Sequence, residues 1–153
     1  MTGRVVDVHQ HLWPAGFVEA LRARREPPLL DGDVLVTVEG RFPLDLSVHR
    51  LDRRLELLDR DEVDVAVVSL QPSLGLESVP AAERAELEDA WLAGIGELCD
   101  AAAGRLVAFA PGRVVDGLLG TSVGASALLD TAAHAALLDR VEQSGGVLFV
   151  HPE

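Results

Sequence analysis

The stretch Val5-Val6-Asp7-Val8-His9-Gln10-His11-Leu12-Trp13-Pro14, almost at the amino terminus, decides how the rest of the chain is read. Its short apolar run of Val5, Val6 and Val8 predicts a buried strand of the parallel-sheet kind, stopped by Pro14. Alternate side chains of a strand share a face, so His9 and His11 should point the same way, with Asp7 below them. Open α/β sheets and barrels keep their sites at the carboxyl ends of strands, which is where this pair falls. Two imidazoles one pleat apart can bind one metal ion, because neutral imidazole is a common ligand. By itself His-x-His is a weak signal. A second apolar run, Gly145-Gly146-Val147-Leu148-Phe149-Val150-His151-Pro152, follows a Gly-Gly break and again ends in histidine and proline. Two strands that each place histidine at the carboxyl end point to metal binding. The alternative is a set of strand-end histidines satisfied by solvent or backbone.

Composition narrows the function classes. A chain of 153 residues with 48% hydrophobic content suits one domain with a core built on Leu, Val and Ala. The net charge of −12 disfavours nucleic-acid backbones and anionic membrane surfaces as partners. No basic segment precedes an apolar stretch at the start, and no apolar run approaches the ~18 residues of a membrane span. The lone Cys99 cannot form an internal disulfide, so a cytoplasmic location is expected. All 13 basic side chains are arginine. Without lysine there is no Schiff base and no carbamylated lysine to bridge two metals, so a metal site would hold a single ion.

In chain order, a short helix is expected over about 16–25, with Phe17 and Leu21 on one face, ended by Pro27-Pro28. Residues 34–38 and 41–42 around Glu39-Gly40 read as a small hairpin or flap. The long excursion of about 15–46 leaves the strand bearing His9 and His11, so it either folds over a site as a lid or is an ordinary surface excursion. Ser47 is the expected N-cap of a helix reaching about Glu62, with Val48, Leu51, Leu55 and Leu58 inward. Arg50, Arg53, Arg54, Glu56 and Arg60 then form a solvated face, and His49 in the first turn reads as a surface residue. Val63 to Leu70 predicts the second buried strand, with Gln71 at its carboxyl edge. Pro80 opens a long helix ended by Gly104, with Leu87, Trp91, Ile95 and Leu98 as its buried stripe and Cys99 in the core. Arg105 to Ala110 is the third strand. Leu118 to Val123 is a fourth, separated from the third by only about seven residues. A parallel crossover ordinarily takes a dozen or more. From Ser126 or Asp130 to Ser144 a last helix is expected, with Leu129, Ala133, Leu137 and Val141 inward and His134 exposed. No P-loop, G-x-G-x-x-G or G-x-S-x-G pattern occurs.

With both histidine-bearing ends in view, the chain resembles the first part of an amidohydrolase-superfamily protein. The group in question is the amidohydrolase-related one that includes aminocarboxymuconate-semialdehyde and other aromatic-acid decarboxylases. The matching pieces are Asp7-Val8-His9-Gln10-His11-Leu12-Trp13-Pro14 and Leu148-Phe149-Val150-His151-Pro152. Between them, residues 62–70 and 104–110 resemble that group's second and third strands. The resemblance implies a partial (β/α)8 barrel of about the first five strands, as one domain over 1–153, with the helix before the fourth strand missing or shortened. It implies His9, His11 and His151 as ligands of one divalent ion, Zn2+ first among them, with Asp7 either orienting a ligand histidine from behind or held in an ordinary strand-end hydrogen bond. Trp13, Gln71 and Arg41 are candidate substrate contacts, Arg41 by pairing with a carboxylate; the alternatives are loop hydrogen bonding for Gln71 and a surface role for Arg41. The group's catalytic aspartate and proton-handling histidine would lie beyond Glu153, so the piece looks truncated and inactive alone. A half barrel exposes strand edges and should form a homo-oligomer or need a complementing fragment.

The expected function is therefore metal-dependent hydrolysis of a C–N or C–O bond in a small molecule, either a carboxylic acid or a cyclic amide or ester. Decarboxylation of an aromatic or unsaturated acid is the alternative within the group. A metal-free, doubly wound binding module is the alternative outside it.

Overall fold

The computed structural model describes residues 3–152, the side chains of residues 127–129 excepted. In chain order the strands are β1 (Val6–Gln10), β2 (Leu29–Asp31), β3 (Val34–Thr37), β4 (Gly40–Pro43), β5 (Val65–Val68), β6 (Leu106–Pro111), β7 (Gly120–Gly124) and β8 (Val147–His151). The helices are α1 (Ala15–Ala23), α2 (Leu51–Arg60), α3 (Ala81–Ala101) and α4 (Ala135–Ser144). Five strands form one sheet in the order β1-β5-β6-β7-β8, every neighbouring pair parallel. The short strands β2, β3 and β4 form a separate antiparallel sheet.

The order of the main sheet follows the chain with no reversal. A doubly wound sheet needs a reversal to make its binding crevice, so that alternative is overturned. Sequential parallel strands instead curl in one direction. A flat sheet would hold its first and fifth strands about 19 Å apart, at 4.7–4.9 Å per neighbour. The side chains at the carboxyl ends of β1 and β8 nevertheless touch across the concave face. The sheet is thus a curled half-barrel, accompanied by α1–α4 among the described residues.

The core lies between the sheet and the helices. All four residues of β5 are buried, as expected of a strand with neighbours on both sides. Phe17 and Leu21 of α1 meet the stripe of α3 formed by Leu87, Trp91 and Ile95, all of them buried. Trp91 is a core residue as expected, and its indole N–H donates to the Leu12 carbonyl at 2.9 Å. A Cβ on Gly94 of α3 would overlap the Pro14 ring, so glycine there lets the helix close on the turn that follows β1.

Several expectations are corrected. Val5, Val6 and Val8 are not buried but 50%, 47% and 55% exposed, because β1 is an edge strand with β5 on one side only. An apolar run tells strand from loop, but it does not tell centre from edge. The helix expected from Ser47 begins at Leu51. Residues 46–49 form a 3-10 turn in which the Asp45 carboxylate accepts from the Ser47 amide at 2.9 Å, and Ser47 is not the cap. The last helix likewise begins at Ala135 after a 3-10 turn over 125–130, and the contact expected of Leu129 lies outside the described residues.

The abrupt third-to-fourth connection is real: residues 112–119 contain no helix, yet β6 and β7 are parallel neighbours. A stagger resolves the geometry. Gly120 pairs with Phe109, so the chain leaving Pro111 has to drop back by only two strand positions, about 7 Å, before pairing resumes. Eight residues reach that far easily.

Candidate metal centre

The site lies at the carboxyl ends of β1 and β8, across the concave face of the sheet. His9 and His11 project from the end of β1 and His151 from the end of β8. Their ligand-capable nitrogens all lie within 4.8 Å of one another. His9 Nε2 is 2.7 Å from His151 Nε2, which is 3.2 Å from His11 Nε2. Phe149, stacked on Phe109 at 5.1 Å, lies against the His9 and His151 rings and supplies an apolar wall.

Two backbone carbonyls decide which ring nitrogens carry protons. His11 Nδ1 is 2.9 Å from the Ser69 carbonyl, and His151 Nδ1 is 2.5 Å from the Pro152 carbonyl. A carbonyl only accepts, so both Nδ1 atoms carry hydrogen and donate. In the neutral rings both Nε2 atoms are then bare lone pairs, and these two face each other at 3.2 Å with no proton to share. Such an arrangement is repulsive unless a hydrogen-bond donor or a cation sits among the lone pairs; His9 Nε2, 2.7 Å from His151 Nε2, is placed to donate in one tautomer or to share an ion in the other. A ring N–H fixed by a carbonyl is also how protein metal sites orient a ligand histidine. The donor set therefore fits a divalent ion. Burial pushes the His11 pKa below its ordinary value; the Ser69 hydrogen bond opposes this, and the charges of His151, His9 and Arg54 reinforce it.

The other residues named from the sequence fall out as follows. The register of β1 against β5 slips by one residue between Asp7 and Gln10. This bulge breaks the alternation that placed Asp7 beneath the histidines. Asp7 reaches no imidazole: its carboxylate accepts from the His9 main-chain N–H at 3.0 Å and from the Gln10 amide at 2.7 Å. Trp13 is 2% exposed, packed on Phe17 and stacked on His49 at 4.8 Å, so it is part of the core. Arg41 reaches across the small sheet to Asp31 at 2.7 Å and lines neither of two clefts that contain His151. Gln71 does stand beside the site, with its amide donating to Ser73 Oγ at 2.7 Å.

Sequence reasoning missed two neighbours. His49, read as a surface residue, is half-buried against Trp13, and its Nδ1 accepts from the Trp13 main-chain N–H at 3.2 Å. Burial, aided by the Arg54 charge, lowers its pKa to about 4. Arg54, read as part of a solvated face, instead turns inward to the end of β1. A helical period shows which residues share a face; it does not show that a neighbouring strand lies within reach of that face's border. His134, expected to be exposed, is partly buried at the start of α4. Burial, aided by the Asp100 charge, pushes the Cys99 thiol up to about 11.

Two clefts meet at His151. One, of about 300 Å³, runs toward Arg84, Glu88 and His134. The other, of about 580 Å³, includes His11 and is lined also by Thr37 at the end of β3 and by Val38 and Glu39 of the turn that follows it. Gln71 and Glu77 belong to both. Among the described residues, no helix is long and apolar enough to cross a membrane.

Comparison with known proteins corrects the family reading. No protein-family model matches the chain, and no curated protein does either. Among solved structures it is similar to the IDCase of Metarhizium anisopliae in its apo form, with a TM-score of 0.78 and 21% identity over 99% of this chain and 51% of that one. The chain thus spans about half the length of that enzyme, and at this identity the likeness shows a shared fold and nothing finer. The assignment to the amidohydrolase-related group is withdrawn on this finding, and the hydrolase and decarboxylase activities drawn from that group go with it. The physical reason is that two short histidine motifs constrain the geometry of an ion and leave the chemistry around it open. What the comparison supports is the fold, a curled parallel half-barrel; the three imidazoles at its mouth are this chain's own.

Proposed function

We propose that the chain holds one divalent metal ion on His9, His11 and His151 and acts, as part of a metal-dependent enzyme, on a small molecule lying in the clefts that meet at His151. The observation that carries this is the pair of apposed Nε2 lone pairs on His11 and His151, each aimed by a carbonyl behind its ring. Three imidazole nitrogens leave further coordination positions open, the usual arrangement where an ion works on a substrate. Zn2+ is the first candidate for such a set. A bound ion would supply Lewis-acid polarisation of a substrate oxygen.

The chain's own groups would do the rest. The Ser69 and Pro152 carbonyls hold the rings in one tautomer. Phe149 and Phe109 form an apolar wall beneath them and limit water on that side. Gln71 offers an amide to orient a polar substrate, and the lining of the cleft by residues 37–39 supports a lid-like role for the excursion over 15–46. We also read the curled, sequential sheet as the opening strands of a (β/α)8 barrel, whose sites gather at this same end.

The test is metal content. The purified chain should take up one Zn2+ or Co2+ per molecule, and His151→Ala should weaken uptake at least a hundredfold while leaving the far-UV circular dichroism unchanged. His9→Ala and His11→Ala should do likewise. Equal uptake by the wild-type chain and by the His11→Ala and His151→Ala variants would end this reading.

A further inference from the structure

Arg54 is the one arginine of α2 whose bonds all go to another element. Its neighbours Arg53 and Arg60 pair with the nearby acids Glu56 and Asp61 on the surface. Arg54 is half-buried, and its Nη1 donates to Gln10 Oε1 at 3.0 Å while its Nη2 donates to the His11 carbonyl at 3.1 Å. Gln10 passes the link on, donating to Asp7, whose other oxygen holds the His9 N–H. The Gln10 carbonyl in turn accepts from Ser69 N–H at 3.0 Å, next to the carbonyl that orients the His11 ring.

The unbroken set Arg54–Gln10–Asp7–His9 thus clamps the bulged end of β1 between α2 and β5. Arg54 Nε is also buried without an acceptor. A half-buried guanidinium with an unsatisfied N–H is destabilising on its own account. Local rules are broken in this way most often at functional sites.

We propose that Arg54, acting through Gln10 and Asp7, is the positioning residue that sets the spacing of His9 and His11 toward His151. The proposal rests on the metal reading above for its consequence, but the clamp itself needs no metal. Any residue that merely filled the space would preserve α2 packing without directing the end of β1. A lysine at 54 keeps charge and stem but cannot donate to two acceptors in a fixed fork.

Two measurements on the full chain separate the possibilities, with Arg53→Met as the control. In the metal-free protein, amide exchange of His9 should quicken at least tenfold in Arg54→Lys and in Arg54→Met, and stay unchanged in Arg53→Met. Titration with Co2+ alone should then show affinity at least tenfold weaker in Arg54→Lys, with altered intensity of the visible Co2+ bands. Unchanged His9 exchange overturns the clamp. Faster exchange with unaltered Co2+ affinity and bands reduces Arg54 to a structural residue and overturns its positioning role. If the wild-type chain takes up no Co2+, the metal reading falls and takes the consequence of the clamp with it, and the exchange result still decides the clamp. Should Arg54→Met fail to fold, Arg54→Lys carries both arms.

Discussion

At the scale of single residues, His49 gives the molecule a measurable response to acid. Its ring is packed on Trp13, and burial with the nearby Arg54 charge brings its pKa to about 4. In the unfolded chain it titrates near the ordinary 6.5. Above pH 6.5 the ring is neutral in both states. Between 6.5 and 4 the unfolded chain takes up a proton that the folded chain refuses, so stability falls as pH falls through this window. Allowing for partial exposure, the loss is roughly 2 kcal/mol. Urea midpoints measured from pH 7 to pH 4 should fall, and His49→Phe, which keeps the stack, should lessen the slope. An identical slope in the variant would show that His49 is not its source.

The three site histidines were legible in the sequence at this scale, because period-two alternation and strand-ending prolines are local signals. Of the two readings of Asp7, the strand-end hydrogen bond is the one seen, and the one-residue bulge that decides it leaves no mark in an otherwise apolar strand. Arg54 and Trp13 were misread because their surroundings come from elements 40 or so residues away, which no local period encodes.

At the scale of elements, the join between β7 and β8 is what delivers His151 to the site. Gly120 begins β7 opposite Val147, and a Cβ there would overlap the Val147 carbonyl and amide, backbone that cannot swing aside. Overpacking costs about 1–3 kcal/mol, and a backbone neighbour puts this site toward the upper end. Gly120→Ala should therefore lower the unfolding free energy by that amount, read as a lower denaturant midpoint at unchanged slope, and by prying β8 outward it should weaken Co2+ binding together with stability. The same substitution at Gly96, where nothing lies within 4 Å of an added Cβ, should be neutral or mildly stabilising. Equal effects at the two positions would refute the close approach.

The helices α1 and α3 and the hairpin of β3 and β4 could be read ahead of the structure, since each has its own period and its own breakers. The exposure of β1 and the helix-free step from β6 to β7 could not be settled. Both depend on which strands become neighbours and how far they are staggered. The short connection was visible as an anomaly, and only the pairing of Gly120 with Phe109 explains it.

At the scale of the whole molecule, the proposed ion would tie the first strand of the sheet to the last. His9 and His11 stand on one edge and His151 on the other, with β5, β6 and β7 between. Each edge strand is held by a single neighbour, and the outer face of β1 leaves its valines in solvent. Opening therefore begins most readily at these edges. A ligand that requires both edges in place binds the folded state and not the frayed or unfolded ones. At a free concentration a thousand times its dissociation constant it adds about 4 kcal/mol. For a chain of this size that corresponds to a rise of roughly 8–16 °C in the unfolding midpoint. The protein's net charge of −12 adds a general attraction for cations, which salt screens, whereas coordination by three imidazoles is not screened. Calorimetry with Zn2+ and with Mg2+, each at 0.1 M salt or above, separates the two contributions. Zn2+ should raise the midpoint by that amount in the wild-type chain, hardly at all in His151→Ala, and Mg2+ should do little in either. A rise with Zn2+ that survives the loss of His151 would place the ion on β1 alone, and the two edges would then be joined only by the curl of the strands between them.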